Sequence, residues 1–105
     1  MSDIDQQLQQ LRENYLRDLT PRFDALEQHL TRLIDEEFPQ APFQEFLRLI
    51  HNLAGSSGLF GLDELQTASR DLEERIAAHV AAATRPDEPE IRRLKRGLAD
   101  LRQSI

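Results

Sequence analysis

An all-α fold is what this chain predicts. Leu, Ala, Gln, Glu and Arg far outnumber the β-branched residues, and apolar residues return at steps of three and four along the chain. The connections between the periodic segments are short, which forces neighbouring helices to run antiparallel. The expected architecture is an antiparallel up-down four-helix bundle with an additional N-terminal helix. At 105 residues the chain has room for one hydrophobic core, and residues 1–105 read as a single domain without repeats or low-complexity tracts.

The elements follow in order. Ile4, Leu8, Leu11, Tyr15 and Leu19 form the stripe of a first amphipathic helix, with Asp, Gln and Arg between them. Thr20-Pro21 has the form of an N-cap followed by proline at the first helical position, so a second helix is expected there, with Phe23, Leu26, Leu30 and Leu33 as its stripe. Phe38-Pro39-Gln40-Ala41-Pro42 stops it. A third helix is expected to start near Pro42 and to run through Phe43, Phe46, Leu47, Ile50, Leu53, Ala54 and Ser57, until Gly58-Leu59-Phe60-Gly61 turns the chain. Leu62, Leu65, Leu72, Ile76 and Val80 mark the inner face of the next helix, and Thr84 to Pro89 the last linker. Ile91, Leu94, Leu98, Leu101 and Ile105 give the final helix the most regular heptad in the chain.

Composition removes several classes of function. The residues are 39% apolar and 30% charged, the mix of a soluble globular protein. A formal charge of −6 argues against nucleic acid and anionic membrane surfaces, which both attract a net basic face. Without cysteine there are no disulfides and no thiolate metal sites. Met1 to Gln10 is polar, and no stretch approaches a membrane span, so a cytoplasmic protein is expected. Gly55-Ser56-Ser57-Gly58 lacks the Gly-Lys-Ser/Thr and the preceding strand of a phosphate loop. His29, His51 and His79 lie in different helices, with no His pair at three or four residues and no Glu-x-x-His motif for a di-metal bundle. No bound cofactor or metal and no intrinsic enzyme activity are expected.

One stretch, Arg48 to Gly61, asks for more than a core. With Ile50 at the centre of the buried face, Phe43, Phe46, Leu53, Ala54 and Ser57 fall within about 60° of it on a helical wheel. His51 falls about 100° away, at the edge of the core and turned to water. Gly55 and Gly58 lie on its stripe one and two turns later, with Gln44 and Arg48 on the outer side. Helical side chains lean toward the N-terminus, so the residue four places on normally covers its predecessor. Here that residue is Gly55, which leaves the imidazole uncovered. Each helix-interior glycine costs about 1 kcal/mol against alanine, which stability does not explain but close approach of another protein does. A lone helical histidine is commonly an idle boundary residue, and Gly58 and Gly61 also suit a helix end.

As a string, His51-Asn52-Leu53-Ala54-Gly55-Ser56-Ser57-Gly58-Leu59-Phe60-Gly61 resembles the signature of histidine-containing phosphotransfer (HPt) domains. The likeness continues through Leu65 and Ala68 to Leu72-Glu73, and Tyr15-Leu16-Arg17-Asp18-Leu19-Thr20-Pro21-Arg22-Phe23 is similar to the family's first helix junction. The resemblance implies a four-helix bundle whose histidine Nε2 takes a phosphoryl group from a receiver-domain aspartate and passes it to another receiver. It gives His51 the phospho-acceptor position and Gly55 the position that leaves room for the partner. Glu73 takes the place of a polar residue that holds the other ring nitrogen. The hairpin of the helices before and after Gly61 is compatible with that, since it sets His51 and Glu73 at similar heights. A carboxylate accepting from Nδ1–H would leave the Nε2 lone pair free.

Ala54 departs from the family's usual lysine, three places after the histidine, and removes a cation from beside a group that carries nearly two negative charges once phosphorylated. Arg48 one turn earlier, or Arg70 on the next helix, is the available substitute. Mg²⁺ would come with the receiver, leaving position and access to this chain. A modest, transient docking surface around His51 and a monomer are expected. The alternative is a non-phosphorylated bundle of the same fold that binds or regulates.

Overall fold

The computed structural model describes residues 2–105, and among them four helices and no strand are found: α1 (Asp3–Asp35), α2 (Gln40–Leu59), α3 (Asp63–Ala82) and α4 (Glu88–Gln103). They run alternately up and down around one apolar core, in which Leu19, Phe23, Phe43, Phe46, Ile50, Leu53, Leu65, Ile76, Leu94 and Leu101 are almost completely enclosed. The molecule measures 52 × 23 × 21 Å, the long dimension being set by the 33 residues of α1.

The expected break at Thr20-Pro21 does not occur, and there is no additional N-terminal helix. Pro21 lies inside α1, so the two N-terminal stripes belong to one helix. The stripe explains why: Tyr15, Leu19, Phe23, Leu26, Leu30 and Leu33 keep one phase across the proline, and a break would rotate half of them out of the core. Pro21 itself faces water. The Arg17 carbonyl that loses its backbone partner lies on that wetted side of the helix, where hydration lowers the usual cost of an interior proline. A second departure concerns the start of the stripe. Ile4, Leu8 and Leu11, expected on a core face, are 67%, 58% and 53% exposed, because α1 overshoots the end of the bundle.

Three connections close the bundle. Between α1 and α2, Glu37 and Phe38 adopt positive φ, which folds Phe38 inward to meet Phe43 edge to face at 5.0 Å. Helix α2 starts at Gln40, so Pro42 sits in its first turn, where an N–H would have no helical partner anyway. Between α2 and α3 the chain turns at Gly61, whose φ of 73° suits glycine, and Leu62 N–H donates to the Ser57 carbonyl at 2.9 Å. Asp87 caps α4 by accepting from Glu90 N–H at 2.9 Å. Ile105, expected on the inner face of the last helix, lies beyond α4 and is exposed.

Polar ties add to the core. Arg102 donates to Glu27 at 2.8 Å and also to Asp24, clamping the end of α4 to α1; the bond to Glu27 is the main cause of a guanidinium pKa above its ordinary value. Glu90, almost buried, accepts from Arg75 of α3 at 3.1 Å and from Arg93 at 3.2 Å, a network with no periodic signature in the sequence. Small residues matter too: a Cβ at Gly97 would come within 2.8 Å of the Leu72 side chain, so glycine sets how closely α4 approaches α3.

Phe46 carries much of the α2 packing, fully enclosed and stacked on His29 at 5.3 Å between centroids. Phe46→Ala should cost about 3–5 kcal/mol through lost transfer energy and the cavity left behind. The matching fall in melting temperature is roughly 15 °C or more, measurable by circular dichroism.

Candidate functional site

Helix α2 divides into two faces. Phe43, Phe46, Ile50, Leu53, Ala54 and Ser57 are buried, whereas Gln44, Arg48, His51, Asn52, Gly55 and Leu59 look outward. The His51 side chain is 67% exposed and stands at the seam with α3. Its Nδ1 lies 2.5 Å from Oε2 of Glu73, a half-buried residue of α3. A carboxylate can only accept, so Nδ1 carries a proton and donates it; in the neutral ring this leaves the lone pair on Nε2. The α2–α3 hairpin produces this contact: Gly61 reverses the chain, and the same register that sets Gly58 against Gln66 sets His51 against Glu73.

The two glycines after His51 differ. A Cβ built at Gly55 would meet nothing within 4 Å, so the ring's C-terminal side is open to solvent. At Gly58 a Cβ would fall 1.9 Å from Gln66 Nε2, whose amide instead donates to the Ala54 carbonyl at 3.3 Å. The space beside Gly58 is therefore filled from within by α3. Gly58, expected to leave room for a visiting protein, here also lets α3 pack closely through Gln66.

The cations are also arranged differently from expectation. Ala54 is only 1% exposed, so the place of the usual lysine is a methyl group in the core. Arg48 is forked onto Glu45 of its own helix, with contacts of 2.8 and 2.5 Å, and this hydrogen bonding holds the Glu45 carboxyl below its ordinary pKa. Arg70 is exposed, and no ion pair involving it is found among the described residues.

Sequence reasoning missed the neighbours supplied by α1. Tyr15 shares a 2.7 Å hydrogen bond with Ser56, the residue after Gly55, and stacks on Phe60 at 4.5 Å. Arg22 lies over the Tyr15 ring at 5.7 Å, and Arg12 donates to the Phe60 carbonyl at 3.1 Å. The sequence places Tyr15 in the stripe and in the segment resembling the family's first helix junction, but not beside the end of α2. Its hydroxyl, and the turn it clamps, depend on the end of α2 arriving beside it.

The cleft lined by Arg85, Asp87, Arg92 and Lys95 lies elsewhere and does not have His51 in its walls. The imidazole stands on a convex helix face, which suits contact with another macromolecule's surface better than enclosure of a small molecule. The sequence model of the Hpt domain matches residues 10–104. The chain belongs to the Hpt family. Searches of curated proteins and of solved structures gave no match. As an Hpt domain the chain is a phosphotransfer module of two-component phosphorelays, and receiver domains are the partners of such modules. No helix among the described residues is long and apolar enough to cross a membrane, and no cluster of three His, Asp or Glu side chains that could hold a metal is found among them.

Within this Hpt domain the other histidines are less exposed than His51. His29 is half-buried against Phe46, and its Nδ1 has no hydrogen-bond partner; His79 is held between Thr84 at 3.1 Å and Glu90 at 4.0 Å. Glu73→Ala should remove the acceptor that fixes the His51 tautomer, slowing phosphoryl transfer about 10- to 100-fold while Glu73→Gln, which can still accept, loses less. Single-turnover transfer from a labelled receiver domain measures both.

Proposed function

We propose that this protein is a phosphocarrier that accepts a phosphoryl group on Nε2 of His51 from the aspartyl phosphate of one receiver domain and passes it to the aspartate of another. The observation that carries the reading is an exposed imidazole held at Nδ1 by Glu73 at 2.5 Å, with open space over Gly55. The Nε2 lone pair forms the N–P bond while the P–O bond to the receiver's aspartate breaks and that carboxylate leaves. The ring, still protonated at Nδ1, then has cationic character, and the Glu73 carboxylate lies against it. Return of the phosphoryl group to a second carboxylate is the same step reversed.

The receiver supplies Mg²⁺ and the acidic pocket, and this chain supplies position and access, so it has no catalytic activity of its own. The reading puts this domain in the cytoplasm as a shuttle that binds neither nucleic acid nor membrane. Arg70 is the better candidate for a compensating cation, because Arg48 is engaged with Glu45. The buried Ala54 favours a second reading, in which the fold binds receivers without carrying phosphate. Incubation with a phosphorylated receiver domain separates the two. Acid-labile, base-stable label on the chain supports the carrier, and binding without label the regulator.

A further inference from the structure

The uncovered end of α1 carries an observation that phosphotransfer does not use. From Asp3 to Glu13 every residue is exposed, and Ile4, Leu8 and Leu11 line one face of this arm. That face keeps the phase of the buried Leu19 and Phe23, so it is the core seam of α1 continued past the point where α2, α3 and α4 stop covering it. The seam ends on a shelf made by the stacked Tyr15 and Phe60 rings beside Leu59, which is 82% exposed. A helical segment of about a dozen residues is marginal in water by itself, and an apolar stripe of this kind marks a surface that meets a partner.

The shape of the seam restricts what can lie on it. A helix placed there must end at the Tyr15–Phe60 shelf, because the bundle occupies the face below. A second copy running parallel is excluded, since from its own Tyr15 onward its bundle would need the same space. A second copy running antiparallel fits: its tip comes down onto the shelf, and its bundle lies beyond the tip of the first. We propose that two copies of this chain pair through their N-terminal arms as an antiparallel two-helix contact with twofold symmetry.

In that pairing Leu8 of each copy faces Leu11 of the other, and Ile4 faces Tyr15, giving knobs-into-holes layers with the spacing of a coiled-coil seam. The charges agree with the direction. Asp5 and Arg12, one heptad apart, flank the same edge of the seam, so antiparallel packing sets Asp5 of one copy beside Arg12 of the other, twice. The opposite edge carries only the amides Gln7 and Asn14. Arg12 spends one guanidinium nitrogen on the Phe60 carbonyl and keeps further donors. Asp5 takes part in no ion pair found among the described residues. Two arms of this length bury on the order of 1,000 Å², the size of a weak, reversible interface. A monomer is the sequence expectation; the overshoot of α1 leaves the N-terminal stripe uncovered and gives a second copy a surface to meet. The His51 ring stands about 12 Å along α2 from Leu59 at 1.5 Å per residue, so the contact leaves it free.

Sedimentation velocity on the full chain tests the proposal. The mass should rise from 12.1 kDa toward twice that value as concentration approaches about 1 mM. Leu8→Glu with Leu11→Glu should hold it at the monomer mass with the bundle intact, because both side chains are more than half exposed in the single chain and belong to no part of the core. Asp5→Arg and Arg12→Asp should each weaken association about ten-fold, and the two together should restore it, since the swapped charges face one another again. A chain that stays monomeric at the highest concentration overturns the proposal, as does a dimer indifferent to the leucine changes or a double charge swap that restores nothing. Loss of receiver binding in the leucine variant of a monomeric chain would give the seam to the receiver instead.

Discussion

His51→Gln should abolish label transfer from a phosphorylated receiver domain, lowering it at least about 1,000-fold, an effect of about 4 kcal/mol on the barrier. Glutamine offers no lone pair on nitrogen of comparable basicity, so the N–P bond has nowhere else to form at that position. The fold should not register the change. The His51 side chain is 67% exposed and its one hydrogen bond is to Glu73, which a glutamine amide can also satisfy. Exposed substitutions of this kind stay within about 0.5 kcal/mol. The comparison is therefore between two proteins of equal melting temperature and very different labelling. Acid-labile label surviving in the variant would move the acceptor to His29 or His79 and overturn the assignment, against the partial burial of both rings.

Gly55→Leu should separate stability from function in the opposite direction. The position lies in the middle of α2 with nothing within 4 Å of a new Cβ, so a side chain can start there without a backbone clash and the helix gains about 0.8 kcal/mol of propensity. For a domain of this size the melting temperature should rise by roughly 3–6 °C. The leucine side chain leans back toward His51 and occupies the approach to Nε2. Transfer should then fall about 100-fold, with Gly55→Ala intermediate. A leucine variant that is more stable yet accepts phosphate at the original rate would show that the open flank plays no part in docking. Thermal melts and single-turnover labelling of the same preparations decide the matter.

Much of the site was legible because local geometry dictates it. The wheel around Ile50 separates the buried Ala54 and Ser57 from the outward His51 and Gly55 without knowledge of the partner helix. The height match of His51 and Glu73 follows from a tight turn at Gly61 between two antiparallel helices. What escaped the sequence depends on where other elements stop. Gly58 has the same local chemistry as Gly55, and only the reach of Gln66 from α3 makes one a packing position and the other an open one. The forked Arg48–Glu45 pair is a three-residue spacing within one helix, readable in hindsight, yet surface pairs at that spacing are common and often empty of consequence. At Pro21 two local rules conflicted. The capping pattern favoured a new helix and the unbroken apolar phase favoured continuation, and burial on both sides of the proline outweighed the lost hydrogen bond. Periodicity shows that Ile4, Leu8 and Leu11 share a face, but whether anything lies over that face depends on how far the other helices extend.

The proline inside α1 has a bearing on how the molecule comes apart. Pro21 offers no N–H, so one rung is absent from the ladder that runs the length of α1, and Tyr15 is bolted to Ser56 and Phe60 not far above it. Unravelling that begins at the free tip meets the bolt first and the missing rung soon after. The tip can melt and re-form without loosening Phe23 or the residues that seat α2, so loss of order there need not spread to the imidazole.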